Sequence, residues 1–334
     1  MRKPIAVSAL LLTSVGPIAA QDASEFYKNK TVNIIVGFSS GGGYDLYARL
    51  LSRHFGKFAS GAPTFVVQNM PGAGSLTAVR SLDVRFPQDG TAIVAFNPGL
   101  LTESLVNPER TKMTFTDVAW LGSTSKDFRV CYAWGATGIK TWEDVKTRKE
   151  FIVGVTAPGS SSYINSATLR SVFGLNVKQV AGYPGSAETR LAIERGELHG
   201  DCGTWSAITP EWREQKKINP FVRFSRDATP DIPVEARFIG EFATTQEQTD
   251  LVEFLIGPGA LGVPYVLSKK VPQDRLSALR KGFDSTMKDT EFLAEAEKMT
   301  FPVVPVSGAD AEEIVRRIYA SSPELISKAA AAIK

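Results

Sequence analysis

The stretch Val32–Arg49, VNIIVGFSSGGGYDLYAR, constrains the fold of this chain more than any other. Val32, Ile34, Ile35, Val36 and Phe38 form a short, β-branched apolar run that reads as a buried strand. Gly41, Gly42 and Gly43 then permit positive φ and a close approach to the main chain. Asp45 caps or flanks a helix whose apolar positions Leu46, Leu50 and Leu51 recur at helical spacing. A helix N-terminus behind a glycine turn presents free backbone N–H groups to an anion. The segment therefore predicts a strand, a turn and a helix start that together cradle a negative charge.

The same rhythm continues along the chain. A strand at Phe65–Val67 leads into Asn69-Met70-Pro71-Gly72-Ala73-Gly74 and a helix near Ser75–Leu82. A strand at Thr91–Phe96 ends at Asn97-Pro98-Gly99. A second set starts near Arg129–Trp134 and includes strands at Phe151–Val155, Val177–Val180 and Leu198–Cys202. Strand–loop–helix alternation predicts mostly parallel sheets with helices on both faces, and ligands at the C-terminal ends of the strands. After a strand at Gly262–Leu267, helices are expected at Gln273–Met287, Thr290–Lys298, Ala309–Tyr319 and Pro323–Ile333, packed on the first block.

Met1-Arg2-Lys3 followed by the apolar stretch Ile5–Val15 has the form of an export signal, with cleavage expected near Ala20. The 334 residues carry 38 basic and 35 acidic side chains, net +3, without a basic field for nucleic acid. Cys131 and Cys202 reach an oxidising compartment if the chain is exported, and stand as either a disulfide or two buried thiols. With only His54 and His199 beside them, no metal-ligand spacing appears, and no cofactor motif is complete: Leu46 stands where a dinucleotide loop needs its third glycine.

Gly37-Phe38-Ser39-Ser40-Gly41 matches the G-x-S-x-G of a hydrolase nucleophile elbow. A serine nucleophile needs a histidine base oriented by an acid. His54 lies on the following helix and His199 beside a strand of the second block, so a hydrolase using Ser39 is the weakest reading and no enzyme is expected. Ala157-Pro158-Gly159-Ser160-Ser161-Ser162 and Gly182-Tyr183-Pro184-Gly185-Ser186 repeat the strand, small-residue turn and helix start in the second block.

Taken in order and spacing, Gly41-Gly42-Gly43-Tyr44-Asp45 with Ala48-Arg49, Asn69-Met70-Pro71-Gly72-Ala73-Gly74, Asp89-Gly90-Thr91, Gly159-Ser160, Tyr183-Pro184-Gly185, Pro230-Asp231-Ile232-Pro233 and Val271-Pro272 make the whole mature chain similar to one family. It resembles the substrate-binding proteins of tripartite tricarboxylate transporters, the Bug family of periplasmic receptors. The resemblance implies an α/β, two-lobed, Venus-flytrap fold of the type II periplasmic-binding class, each lobe a mixed sheet flanked by helices. Residues 1–20 would be the signal peptide, 21–124 and 226–334 the first lobe, and 125–225 the second. It implies a monomer in the periplasm that captures a small organic carboxylate and delivers it to membrane permease subunits; a partner sensor kinase is the alternative. Carried over by position, the ligand residues are Phe38, Ser39, Ser40, Gly43 and Asp45, with Ser160, Ser161, Tyr183, Gly185, Thr204 and Trp205. Gly37, Ser39, Ser40, Tyr44, Met70 and Ser75 depart from the usual pattern. Tyr44 and Trp205 are expected to narrow the pocket or stack on an aromatic acid. Turn N–H groups and a helix N-terminus suffice to hold a carboxylate, so no arginine is required.

Overall fold

The computed structural model describes residues 22–227 and 231–334. The expected signal peptide, its cleavage near Ala20, and Pro230 lie outside the described residues. No helix among those described is long and apolar enough to cross a membrane.

The strands, in chain order, are β1 Thr31–Val36, β2 Thr64–Asn69, β3 Ala92–Ala95, β4 Val118–Ser123, β5 Val130–Trp134, β6 Phe151–Val155, β7 Val177–Ala181, β8 Gly200–Asp201, β9 Ile218–Arg223, β10 Arg237–Phe238, β11 Pro264–Ser268 and β12 Val306–Ser307. They form two six-stranded sheets, β12-β4-β11-β3-β1-β2 and β10-β9-β5-β8-β6-β7. β2, β1 and β3 run parallel, as do β7, β6 and β8. Beyond β3 and β8 the next two pairings in each sheet are antiparallel. The sheets are thus mixed: three strands of each pair in parallel as strand–turn–helix units, and the second sheet ends on one more parallel pair, β10 with β9. β11 enters the first sheet, and β5 the second, by crossing from the other lobe, so each runs against the strand it meets.

The helix Gly43–Phe55 buries Tyr47, Leu50, Leu51 and Phe55 against the first sheet, so its apolar stripe sets the direction of the Val32–Arg49 unit. Helices Gln273–Thr286 and Thr290–Lys298 add Leu276, Leu279, Phe283, Phe292 and Ala296 to the same core. Gly308–Tyr319 covers the opposite face of that sheet with Ala311 and Val315. The last helix, Pro323–Ala332, behaves differently from the expectation that the C-terminal helices pack on the first block. Ala329 and the following Ile333 enter the second core, beside Leu251 and Leu255 of the helix Gln246–Ile256. β10 also pairs with β9, so the second layer draws on chain beyond residue 225.

β9 carries Pro220 inside a strand. The register shifts opposite it, between Cys131 and Tyr132 of β5, so the residue without an N–H sits at a bulge. Cys131 and Cys202 are joined by a disulfide that links β5 to the end of β8.

Two segments cross between the sheets, residues 124–129 and 257–263, and they bond to each other. Thr124 N donates to Val263 O (3.2 Å), Val263 N to Ser125 O (3.3 Å) and Asp127 N to Gly259 O (2.8 Å). A side chain at Gly262 would place its Cβ 2.2 Å from Asp127 N, so glycine is required for the two crossings to lie this close.

Candidate functional site

The strand C-terminal ends of both sheets face one cleft. The first-lobe wall is the loop 37–43, which β1 delivers to the start of the helix Gly43–Phe55. Asp45 braces it from below: Oδ2 accepts from Gly41 N (2.9 Å), Ser40 Oγ (3.3 Å) and Arg49 Nε (2.9 Å), and Oδ1 from Asn69 Nδ2 (2.9 Å). Burial raises the Asp45 carboxyl's pKa, but these donors outweigh it and hold the group below the usual carboxylate range. Phe38 stacks on Tyr44 with ring centroids 4.7 Å apart.

The second-lobe wall comes from three turns. Ser160 Oγ caps the helix Ser161–Ser171 by accepting from Tyr163 N (3.3 Å). Gly185 precedes the helix Ser186–Glu194, and Gly203 and Thr204 follow β8. The helices Gly43–Phe55 and Ser186–Glu194 both start on glycine, with no side-chain cap. Their ends abut: a Cβ built on Gly42 would lie 3.1 Å from Ser186 Oγ and 3.8 Å from Ser186 N. Two uncapped helix N-termini, one from each lobe, therefore meet, and their free N–H groups add positive potential at one place.

The cleft is closed over a cavity of about 60 Å³. Ser39 Oγ donates to Glu188 Oε2 (2.8 Å), Arg190 Nη2 to Gly41 O (3.3 Å), and both Ser161 N (2.9 Å) and Ser161 Oγ (2.7 Å) to Asn97 Oδ1. Asn97 Nδ2 completes the clasp on Gly159 O (3.3 Å). Gly99 lies against the same turn, where a Cβ would come 2.8 Å from Gly159 O.

The structure sorts the expected ligand residues into two groups. Phe38, Gly43, Ser160, Ser161, Gly185 and Thr204 line the cavity. The Ser161 hydroxyl is engaged by Asn97, and Thr204 Oγ1 donates to Asp127 Oδ1 (3.2 Å). Ser39 and Ser40 do not line it, because their hydroxyls serve the interlobe clasp and the Asp45 brace. Asp45 itself points into that brace. Tyr183 packs on the second-lobe core outside the cavity. Trp205 is buried in the same core, with Nε1 donating to Asp231 Oδ2 (2.6 Å), so of the two aromatics expected to shape the pocket only Tyr44 does so.

The cavity wall also holds residues that the sequence reading passed over. Arg129 stands at the start of β5, 6% exposed. Its Nε donates to Asp127 Oδ2 (2.9 Å) and its Nη1 to Cys202 O (3.3 Å). Burial disfavours the guanidinium charge, and the adjacent Asp127, with Tyr44 and Asp201, together more than offset that. Asn97, Thr189 and Asp201 line the cavity too. Arg129 had a visible signal, since it is a charged residue at the head of the apolar run Val130–Trp134, where charges are rare unless paired or used. No arginine was among the expected ligand residues, yet a buried guanidinium is part of the wall.

The hydrolase reading of Ser39 finds no base beside it. His54 Nε2 pairs with Glu295 Oε2 (2.6 Å) on the outer side of the first lobe, and His199 Nδ1 accepts from Ile152 N (3.0 Å).

Two mixed sheets joined by paired crossings, with a closed cavity between them, define the two-lobed periplasmic-binding-protein fold. No family model matches the chain, and no curated protein matches it in sequence. Among solved structures it is similar to the periplasmic binding protein BugD, with TM-score 0.74 and 18% identity over 92% of this chain and 98% of that one. It is also similar to Rpa4515 from R. palustris with adipate (0.72, 19%, 90% and 97%). A third is MatC from Rhodopseudomonas palustris with bound malate (0.70, 16%, 91% and 99%). At these identities the likeness establishes the fold.

Proposed function

We propose that this protein is a periplasmic solute-binding protein of the Bug type, which captures a small organic carboxylate between its lobes and hands it to the membrane subunits of a tripartite tricarboxylate-type transporter. The observation that carries this reading is the meeting of two uncapped helix N-termini, one from each lobe, with buried Arg129 in one closed cavity. Oriented N–H groups and a guanidinium in a water-poor cleft form charge-assisted hydrogen bonds to a carboxylate. The adipate and malate held by two similar structures point to the same ligand class. Ligand-residue roles are assigned to Gly43, Tyr44, Ser160, Gly185, Thr204 and Arg129, and positioning roles to Ser39, Ser40, Asp45 and Ser161. Because donors come from both lobes, binding favours the closed form, and closure by hinge motion follows from that differential contact.

Thermal-shift screening of mono- and dicarboxylates tests the reading. A ligand at one hundred times its Kd adds about 2.7 kcal/mol to stability and raises Tm by several degrees. If no carboxylate at millimolar concentration moves Tm, the reading is wrong.

A further inference from the structure

Asp201 has no role in the carboxylate-binding arrangement just described, yet it lies in its wall. It sits on β8, opposite Tyr132, and is 4% exposed. Its Oδ2 accepts a long bond from Thr189 Oγ1 (3.5 Å), while Oδ1 has no hydrogen-bond partner. The Tyr44 hydroxyl in the same wall is also buried and unpartnered. Unpaired buried acceptors are costly, by about 1–3 kcal/mol and more when charged. Native structures keep such groups where something else satisfies them.

The charges decide what that something is. Arg129 is already paired with Asp127, whereas Arg129 and Arg190 act on Asp201 only at longer range. A ligand that is only a carboxylate would bring a second negative charge toward Asp201, and like charges in a desolvated cavity repel. A ligand with an ammonium group supplies donors for Oδ1 and removes that repulsion.

We propose that the cleft selects a small zwitterionic α-amino acid, its carboxylate on Arg129 and the paired helix N-termini and its ammonium group on Asp201 Oδ1. This rests on the carboxylate-binding reading above. Burial raises the Asp201 carboxyl to about 6, and an ammonium group beside it would favour the charged form.

Calorimetric titration at neutral pH with two matched triplets tests the assignment: L-aspartate, L-malate and succinate; L-alanine, L-lactate and propionate. Within each triplet the ligands differ only in an ammonium, hydroxyl or hydrogen at C2. The expected result is that the amino acid of at least one triplet binds tenfold or more tightly than both counterparts. Asp201→Asn then reduces that preference to threefold or less, with a thermal melt showing the variant folded. The wild-type comparison decides even if the variant does not fold. Equal or tighter binding of the hydroxy or unsubstituted acids overturns the amino-acid assignment and leaves carboxylate binding standing. Failure of every carboxylate tried, zwitterionic or not, overturns the carboxylate reading and this assignment with it.

Discussion

Two buried aspartates, one bracing the cleft loop and one lining the cavity, respond to pH in opposite directions. Asp45 is held in its charged form by Arg49, Gly41 N and Asn69, so its contribution to stability is present above about pH 4 and is lost as pH falls through its lowered folded value. Asp201 is the reverse. Burial lifts it to about 6, while Arg129, the Cys202 N–H, Thr189 and Arg190 only partly restrain the shift. The ligand-free fold therefore holds that proton more tightly than the unfolded chain does. The resulting stability is full below about pH 4 and is lost as pH rises through about 6. Urea unfolding at pH 4.5 and 7.5 checks this: Asp201→Asn should show a flatter pH dependence than the wild type, and an identical slope would contradict the assignment. Asp45→Ala should cost about 3 kcal/mol, because Gly41 N, Asn69 and Arg49 lose their shared acceptor. The same titration at pH 7 measures it.

At the level of elements, the strand–turn–helix units were legible because their signals are local. Phe151–Val155 appears where its apolar run predicts, and the helix Gly43–Phe55 follows the glycine turn with Leu50 and Leu51 facing inward. The strands Val118–Ser123 and Ile218–Arg223 were not read from the sequence. The second is interrupted by Pro220, which a bulge accommodates only in the folded sheet. The bond between Cys131 and Cys202 was likewise open, since the pairing of β5 with β8 is what brings them together. Its loop spans 71 residues, so the double variant Cys131→Ala/Cys202→Ala should lose about 4 kcal/mol in the chain-entropy account. Denatured, unreduced wild-type protein should show no reactive thiol; two would contradict the bridge.

The whole molecule adds what no element holds alone: a cleft whose two walls bond to each other. Gly99 packs against the Gly159 turn within that contact, so Gly99→Val should wedge the lobes apart while each core stays intact. Scattering should then report a larger radius of gyration than in the wild type, and ligand affinity should fall tenfold or more. Unchanged affinity would mean that closure at this contact does not govern binding. The final helix, with Ala329 and Ile333 in the second core, ties the C-terminus to the lobe opposite the helices that precede it.

Sequence alone determined the repeating unit and the glycine turns that open its helices, because hydrophobic period and backbone freedom act over a few neighbouring residues. It also pointed to the cleft loops, of which Phe38, Gly43, Ser160, Ser161, Gly185 and Thr204 reach the cavity. Tertiary structure decided which side chains face the ligand space. Ser39, Ser40 and Asp45 turned to bracing and clasping, while Arg129, ahead of β5, and Asp201, at the end of β8, came to the wall. The reason is that orientation across a cleft depends on sheet pairing, bulges and crossings between residues up to hundreds of positions apart, and none of these is encoded in a local pattern.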